Sequence, residues 1–78
     1  MIQHLVEHIV KSLVTKPELV SITMTKSGEV EIMEINVDDA DRGKVIGREG
    51  QTIKTLRNIV ILLSPAGSQI TVDIAQDA

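Results

Sequence analysis

Two glycines three residues apart, Gly47 and Gly50, split a stretch that would otherwise read as one long helix. On the near side, Asp38 or Asp39 is a good N-cap for a short helix running through Ile46. On the far side, Ile53, Leu56, Ile59, Val60 and Leu63 recur at helical spacing over residues 51–63. A chain punctuated in this way must turn sharply and start a second helix at the turn. Glycine has no Cβ, so the backbone there can adopt positive φ and approach another molecule closely. The first amides of the second helix carry unpaired N–H groups and a partial positive charge. That arrangement favours a phosphate. Arg42, Lys44 and Arg48 lie just before the second glycine, and Lys54 and Arg57 follow it. Nucleic acid is therefore the first partner to consider.

The rest of the chain supplies the elements that would hold such a turn. Ile2, Leu5, Val6, Ile9, Val10 and Leu13 form one apolar stripe, predicting an amphipathic helix over roughly residues 2–15 that Pro17 terminates. Val20, Ile22 and Met24 alternate with polar residues, as in a strand with one buried face. Lys26-Ser27-Gly28 is a turn signal. A second strand is expected over about residues 29–37, with Met33, Ile35 and Val37 facing the core. The apolar phase shifts between Ile32 and Met33, which predicts a bulge or a change of partner there. After residues 64–68 (SPAGS) end the last helix, Ile70, Val72 and Ile74 alternate as a final strand. The order is helix, strand, strand, helix, helix, strand. The first two strands make a hairpin, and the last reaches the sheet through a crossover long enough for parallel pairing. The expected architecture is a two-layer α/β (α+β) sandwich on a three-stranded mixed sheet, in one domain spanning residues 1–78.

Composition removes several classes of function. The chain has 78 residues, 42% hydrophobic, and a mean hydropathy of +0.14. A domain of this size buries only about 60% of its unfolded surface, so oligomerisation would add stability. There is no cysteine, hence no disulfide or thiolate metal site, which suits a reducing cytoplasm. No basic leader precedes an apolar run, so no signal peptide is expected, and no stretch nears the roughly 20 apolar residues of a membrane span. There is no Phe, Trp or Tyr, so base stacking on aromatic platforms is excluded. Net charge is −3, yet residues 41–58 hold five bases and two acids, net +3, and the remainder three bases and nine acids, net −6. Positive charge gathers around the glycine pair.

Glycine-x-x-glycine between two short helices, within strand–helix–helix–strand, resembles the KH domain. The leading helix and strand are similar to the second (type II) KH topology. Asp41-Arg42-Gly43-Lys44-Val45-Ile46-Gly47-Arg48-Glu49-Gly50-Gln51-Thr52-Ile53 resembles that family's Ile-Gly-x-x-Gly core with its flanks. The whole chain resembles the small stand-alone bacterial KH proteins of the KhpA type. The resemblance implies single-stranded RNA held by the loop through about four nucleotides of backbone. It directs the amides of residues 47–50 at phosphates and adds the charge of Arg42, Lys44 and Arg48. It makes Val45 and Ile46 the lining of an aliphatic groove or the support beneath the loop, with Ile35 or Asn36 on the opposite wall. It implies self-association and pairing with a larger KH-containing protein. Glu49 departs from the pattern, because a basic residue is common there. A Gly47→Asp, Gly50→Asp double variant is expected to abolish RNA binding and leave the fold. The alternative reading is a KH-fold protein-interaction module whose RNA site is weak or lost.

Two further features need placing. His4, Glu7 and His8 spell an inverted zinc-protease motif. The chain is too short for a peptidase cleft, and both histidines fall opposite the apolar stripe. They read as a solvated face, with no metal and no cofactor. Ile61 and Leu62 lie off the buried stripe of the last helix, and Ile61 shares a face with Lys54 and Asn58. They are candidate dimer contacts. No nucleophile–base–orienter set appears, and the glycine loop lacks the Walker A pattern, so no enzymatic activity is expected.

Overall fold

The computed structural model describes residues 2–75. Its elements are α1 (Ile2–Leu13), β1 (Ser21–Ser27), β2 (Val30–Asn36), α2 (Arg42–Ile46), α3 (Gln51–Leu63) and β3 (Gln69–Ile74), with short 3-10 turns at Pro17–Leu19, Asp39–Asp41 and Arg48–Gly50. The sheet order is β1-β2-β3. β1 and β2 pair antiparallel, and β2 and β3 pair parallel. The expected element order and mixed three-stranded sheet are both present.

The helices cover one face of the sheet. α1 supplies Val6 and Val10, β2 supplies Met33 and Ile35, α2 supplies Val45, α3 supplies Ile53, Leu56 and Val60, and β3 supplies Val72 to one core cluster. Side chains on a strand alternate faces, so Val30 and Ile32 point the other way from Met33 and Ile35. The expected bulge is absent. The register runs without a break through Thr25↔Ile32 and Met24↔Met33 on one side, and Ile32↔Thr71 and Met33↔Val72 on the other. Ile32 is not out of phase; with Val30 it is one of two half-buried apolar residues on the central strand's open face.

α1 stops at Leu13, two residues before the expected end. Thr15 offers its N–H to the Asp41 carboxylate instead of to the preceding helical turn. The two apolar stripes are also narrower than their periodicity suggests. Leu5 and Leu13 at the edges of α1, and Leu63 at the end of α3, are exposed. Among the described residues, no helix is long and apolar enough to cross a membrane.

Candidate nucleic-acid interface

α2 has five residues, too few for a helix to persist on its own. Three contacts hold it. At its start, Asp41 occupies the N-cap position but makes no capping bond. Its carboxylate reaches across to the segment after α1, where Oδ1 accepts from Thr15 N at 3.0 Å and Thr15 Oγ1 at 2.8 Å, and Oδ2 accepts from Lys16 N at 3.1 Å. Asp41 is 0% exposed. In the middle, Val45 is buried in the core. At its end, Gly47 N–H donates to Gly43 O at 2.9 Å, and the backbone of Gly47 lies against Thr52.

The hydrogen bond from the Thr15 amide lowers the Asp41 pKa from the ordinary aspartate value; burial opposes this, and Thr15 Oγ1, the Lys16 amide and the Lys44 charge add to it. A depressed folded-state pKa contributes stability above the unfolded value and loses it as pH falls through the folded value. Acid unfolding is therefore expected to set in below about pH 4. Asp41→Asn is expected to flatten that limb, as measured by thermal melts across an acid series.

The loop itself has a defined hand. Gly47 sits at φ 77°, ψ 174°. Arg48 is helical, Glu49 is left-handed at φ 56°, ψ 28°, and Gly50 is left-handed at φ 73°, ψ 15°. A right-handed residue followed by a left-handed one turns successive N–H groups into one anion-binding concavity. Gly50 N–H donates to Gly47 O at 3.2 Å, and Gln51 N–H donates to Arg48 O. Of the four amides expected to meet phosphate, Gly47 and Gly50 thus bond within the protein. Those of Arg48 and Glu49 make no hydrogen bond among the described residues.

The five expected cations separate into two groups. Lys44, Arg48 and Lys54 are exposed and make no ion pair among the described residues. Arg42 pairs with Asp39 at 2.8 Å. Arg57 faces the edge strand, where its Nε donates to Val72 O at 2.9 Å and its Nη2 meets Asp73 at 3.1 Å. It ties α3 to β3. Val45 is buried in the core, and Ile46 next to Gly47 is 38% exposed. Of the two residues expected on the opposite wall, Ile35 is placed elsewhere and the amide of Asn36 is already engaged. Ile35 is wholly in the core, and the Asn36 amide donates to Ser21 O and Thr23 Oγ1 on β1.

His4 and His8 are exposed on α1. Glu7 between them pairs with Lys11 at 2.9 Å. Among the described residues, no three potential metal ligands converge. On α3, Asn58, Ile61 and Leu62 all face solvent, with Ile61 63%, Leu62 81% and the adjoining Leu63 51% exposed.

Sequence reasoning missed Asp41, Thr15 and Thr52. The cap was expected at Asp38 or Asp39, and nothing local reveals a partner of Asp41 that lies 26 residues away. Thr52, one turn into α3, becomes visible only when Gly47 is seen to pack on it.

A helix–strand–strand–helix–helix–strand chain on a mixed sheet, with a glycine-x-x-glycine turn between α2 and α3, is a type II KH domain. The family described as KhpA/KhpB, KH domain matches residues 3–76. The chain belongs to that family. It is 39% identical to "RNA-binding protein KhpA" of Leifsonia xyli subsp. xyli over 90% of this chain and 91% of the relative. It is 33% identical to the protein of the same name in Streptomyces coelicolor over 90% and 89%. It is 45% identical to that of Clostridium perfringens over 74% and 77%. No solved structure gives a significant match.

Proposed function

We propose that the chain is a single-domain, non-enzymatic RNA-binding protein that holds short single-stranded RNA at the Gly47–Gly50 loop. It acts as a homodimer in the cytoplasm, in RNA chaperoning or post-transcriptional regulation, and also pairs with a larger KH-containing protein. One observation carries the RNA site: the amides of Arg48 and Glu49 are consecutive, lie on a right-handed then left-handed backbone, and make no hydrogen bond among the described residues. Phosphate is the ligand that such amides take. Lys44, Arg48 and Lys54 supply the charge around them. With no aromatic side chain in the sequence, bases must lie on aliphatic surface, and Ile46 offers it beside the loop. The names of the three relatives support the same reading. Titration of labelled protein with a short oligouridylate, followed by amide NMR, is expected to move the Arg48 and Glu49 resonances first. Shifts confined to other faces of the molecule would reject this site.

The dimer rests on Ile61, Leu62 and Leu63, three consecutive exposed apolar residues at the end of α3. A second copy covering them would add apolar burial that so small a core lacks.

Glu49 puts a carboxylate beside the same amides. Glu49→Lys is expected to raise RNA affinity and to steepen its log–log salt dependence by about 0.7, the increment for one more single-strand phosphate contact. Titrations across a salt series measure both. The Glu49 carboxylate also favours a second reading, a protein-interaction module with little RNA affinity. Crosslinking in cells separates the two, since that module would carry no RNA.

A further inference from the structure

We infer that Asp41 is a positioning residue for the nucleic-acid loop, acting through α2 on the Arg48 and Glu49 amides. This rests on the reading of the loop as an RNA site. Asp41 stands immediately before α2, where an aspartate ordinarily accepts from its own helix's first amides. Here it makes no such bond. Its fully buried carboxylate instead takes three donors from Thr15 and Lys16, in the segment that leads from α1 to β1. Both oxygens are used, so the carboxylate is fixed in orientation as well as position.

The consequence follows from the length of α2. Five residues cannot hold their own direction, so the direction comes from what the ends and the middle touch. Val45 anchors the middle by apolar packing, which resists withdrawal but not rotation about the anchor. Gly47 against Thr52 fixes the far end. Asp41 supplies the directional contact at the near end. Releasing it leaves α2 held only by Val45 and by the Gly47–Thr52 contact, so the strain of any tilt of α2 falls on the turn at Gly47. Arg48 and Glu49 are the next residues, so the placement of their amides on the molecule is set by where the Gly47 turn sits.

Two variants test this at different severity. Asp41→Asn puts an amide donor against the Thr15 and Lys16 donors. Thr15→Val removes one of the three bonds and leaves the carboxylate and both backbone donors. Thr15→Ser keeps all three. Val10→Ala, in the core on α1 and outside the clamp, serves as a control for stability alone. Each is titrated with a short oligouridylate at a temperature where circular dichroism shows it folded. Should the binding-competent loop fall to about a tenth of the population, apparent Kd rises about tenfold. That is expected for Asp41→Asn, with a smaller rise for Thr15→Val. Wild-type affinity is expected for Thr15→Ser and for Val10→Ala despite its lower melting point. Wild-type affinity in folded Asp41→Asn and Thr15→Val would overturn the inference, as would an equal loss in Val10→Ala. In either case the RNA site itself would stand. Failure of the wild-type protein to bind the same RNA would overturn both.

Discussion

Gly47→Ala is expected to destabilise the fold by about 3 kcal/mol or more, against about 1 kcal/mol for Gly50→Asn, although both glycines have positive φ. The difference lies in ψ and in space. Gly47 combines φ 77° with ψ 174°, a region that residues with a Cβ essentially do not occupy. A Cβ there would also meet Thr52 Oγ1, and would lie 2.7 Å from Thr52 Cβ and 2.8 Å from Thr52 N. The backbone nitrogen cannot move aside without unwinding the start of α3. Gly50 sits at φ 73°, ψ 15°, the ordinary left-handed region that asparagine tolerates, and a Cβ there meets nothing within 4 Å. Thermal melts of the two variants measure the asymmetry. The same geometry revises the double variant expected from the sequence. Gly47→Asp would damage the loop's structure, so its effect on RNA would not isolate binding. Gly50→Asp keeps the loop and places a carboxylate where the nucleic acid must pass.

Ile61→Arg is expected to convert the proposed dimer to a monomer and to lower affinity for an RNA long enough to reach both loops. The last turn of α3 exposes three apolar side chains, Ile61, Leu62 and Leu63, with Leu62 81% exposed. A guanidinium buried at the centre of such a contact would be desolvated without a partner, which is strongly unfavourable. Joining two sites makes the second binding event intramolecular and raises avidity by about 10²–10⁴ where the geometry allows both to engage. Loss of the dimer removes that gain for long RNA and changes little for an RNA that fills one loop. Arginine is the stricter test, because its added charge would by itself increase affinity. A fall on long RNA therefore cannot come from electrostatics. Sedimentation velocity reports the oligomeric state, and paired titrations with short and long oligouridylates report the avidity. An unaltered dimer would remove this face of α3 from the interface.

Where sequence reasoning succeeded, the information was local. The period of the apolar residues placed five elements, and an aspartate cap with the glycine pair placed the short α2 between them. Gly47 and Gly50 marked the turn because no other residue type meets its backbone demands so readily. Where it fell short, the missing information was three-dimensional. Ile32 next to Met33 looked like a phase error, since a strand pattern cannot show that the central strand keeps a half-buried apolar residue on its open face, between Thr25 and Thr71. Arg57 looked like a member of the cationic patch until its Nε was seen on the Val72 carbonyl. Ile35 and Asn36 looked equally eligible for a groove wall, although one faces the core and the other β1. Asp41 counted only as an acid inside a basic segment. Its three donors lie on the far side of two strands in sequence, and no pattern of spacing announces them.

The central claim is that the loop between α2 and α3 binds RNA through its backbone. Titration of Gly50→Asp with single-stranded RNA tests it most directly, because the position is open and the left-handed angles suit aspartate better than most residues. With circular dichroism and melting point close to those of wild type, the variant is predicted to lose RNA binding. A folded Gly50→Asp that binds RNA with wild-type affinity and salt dependence would contradict the account.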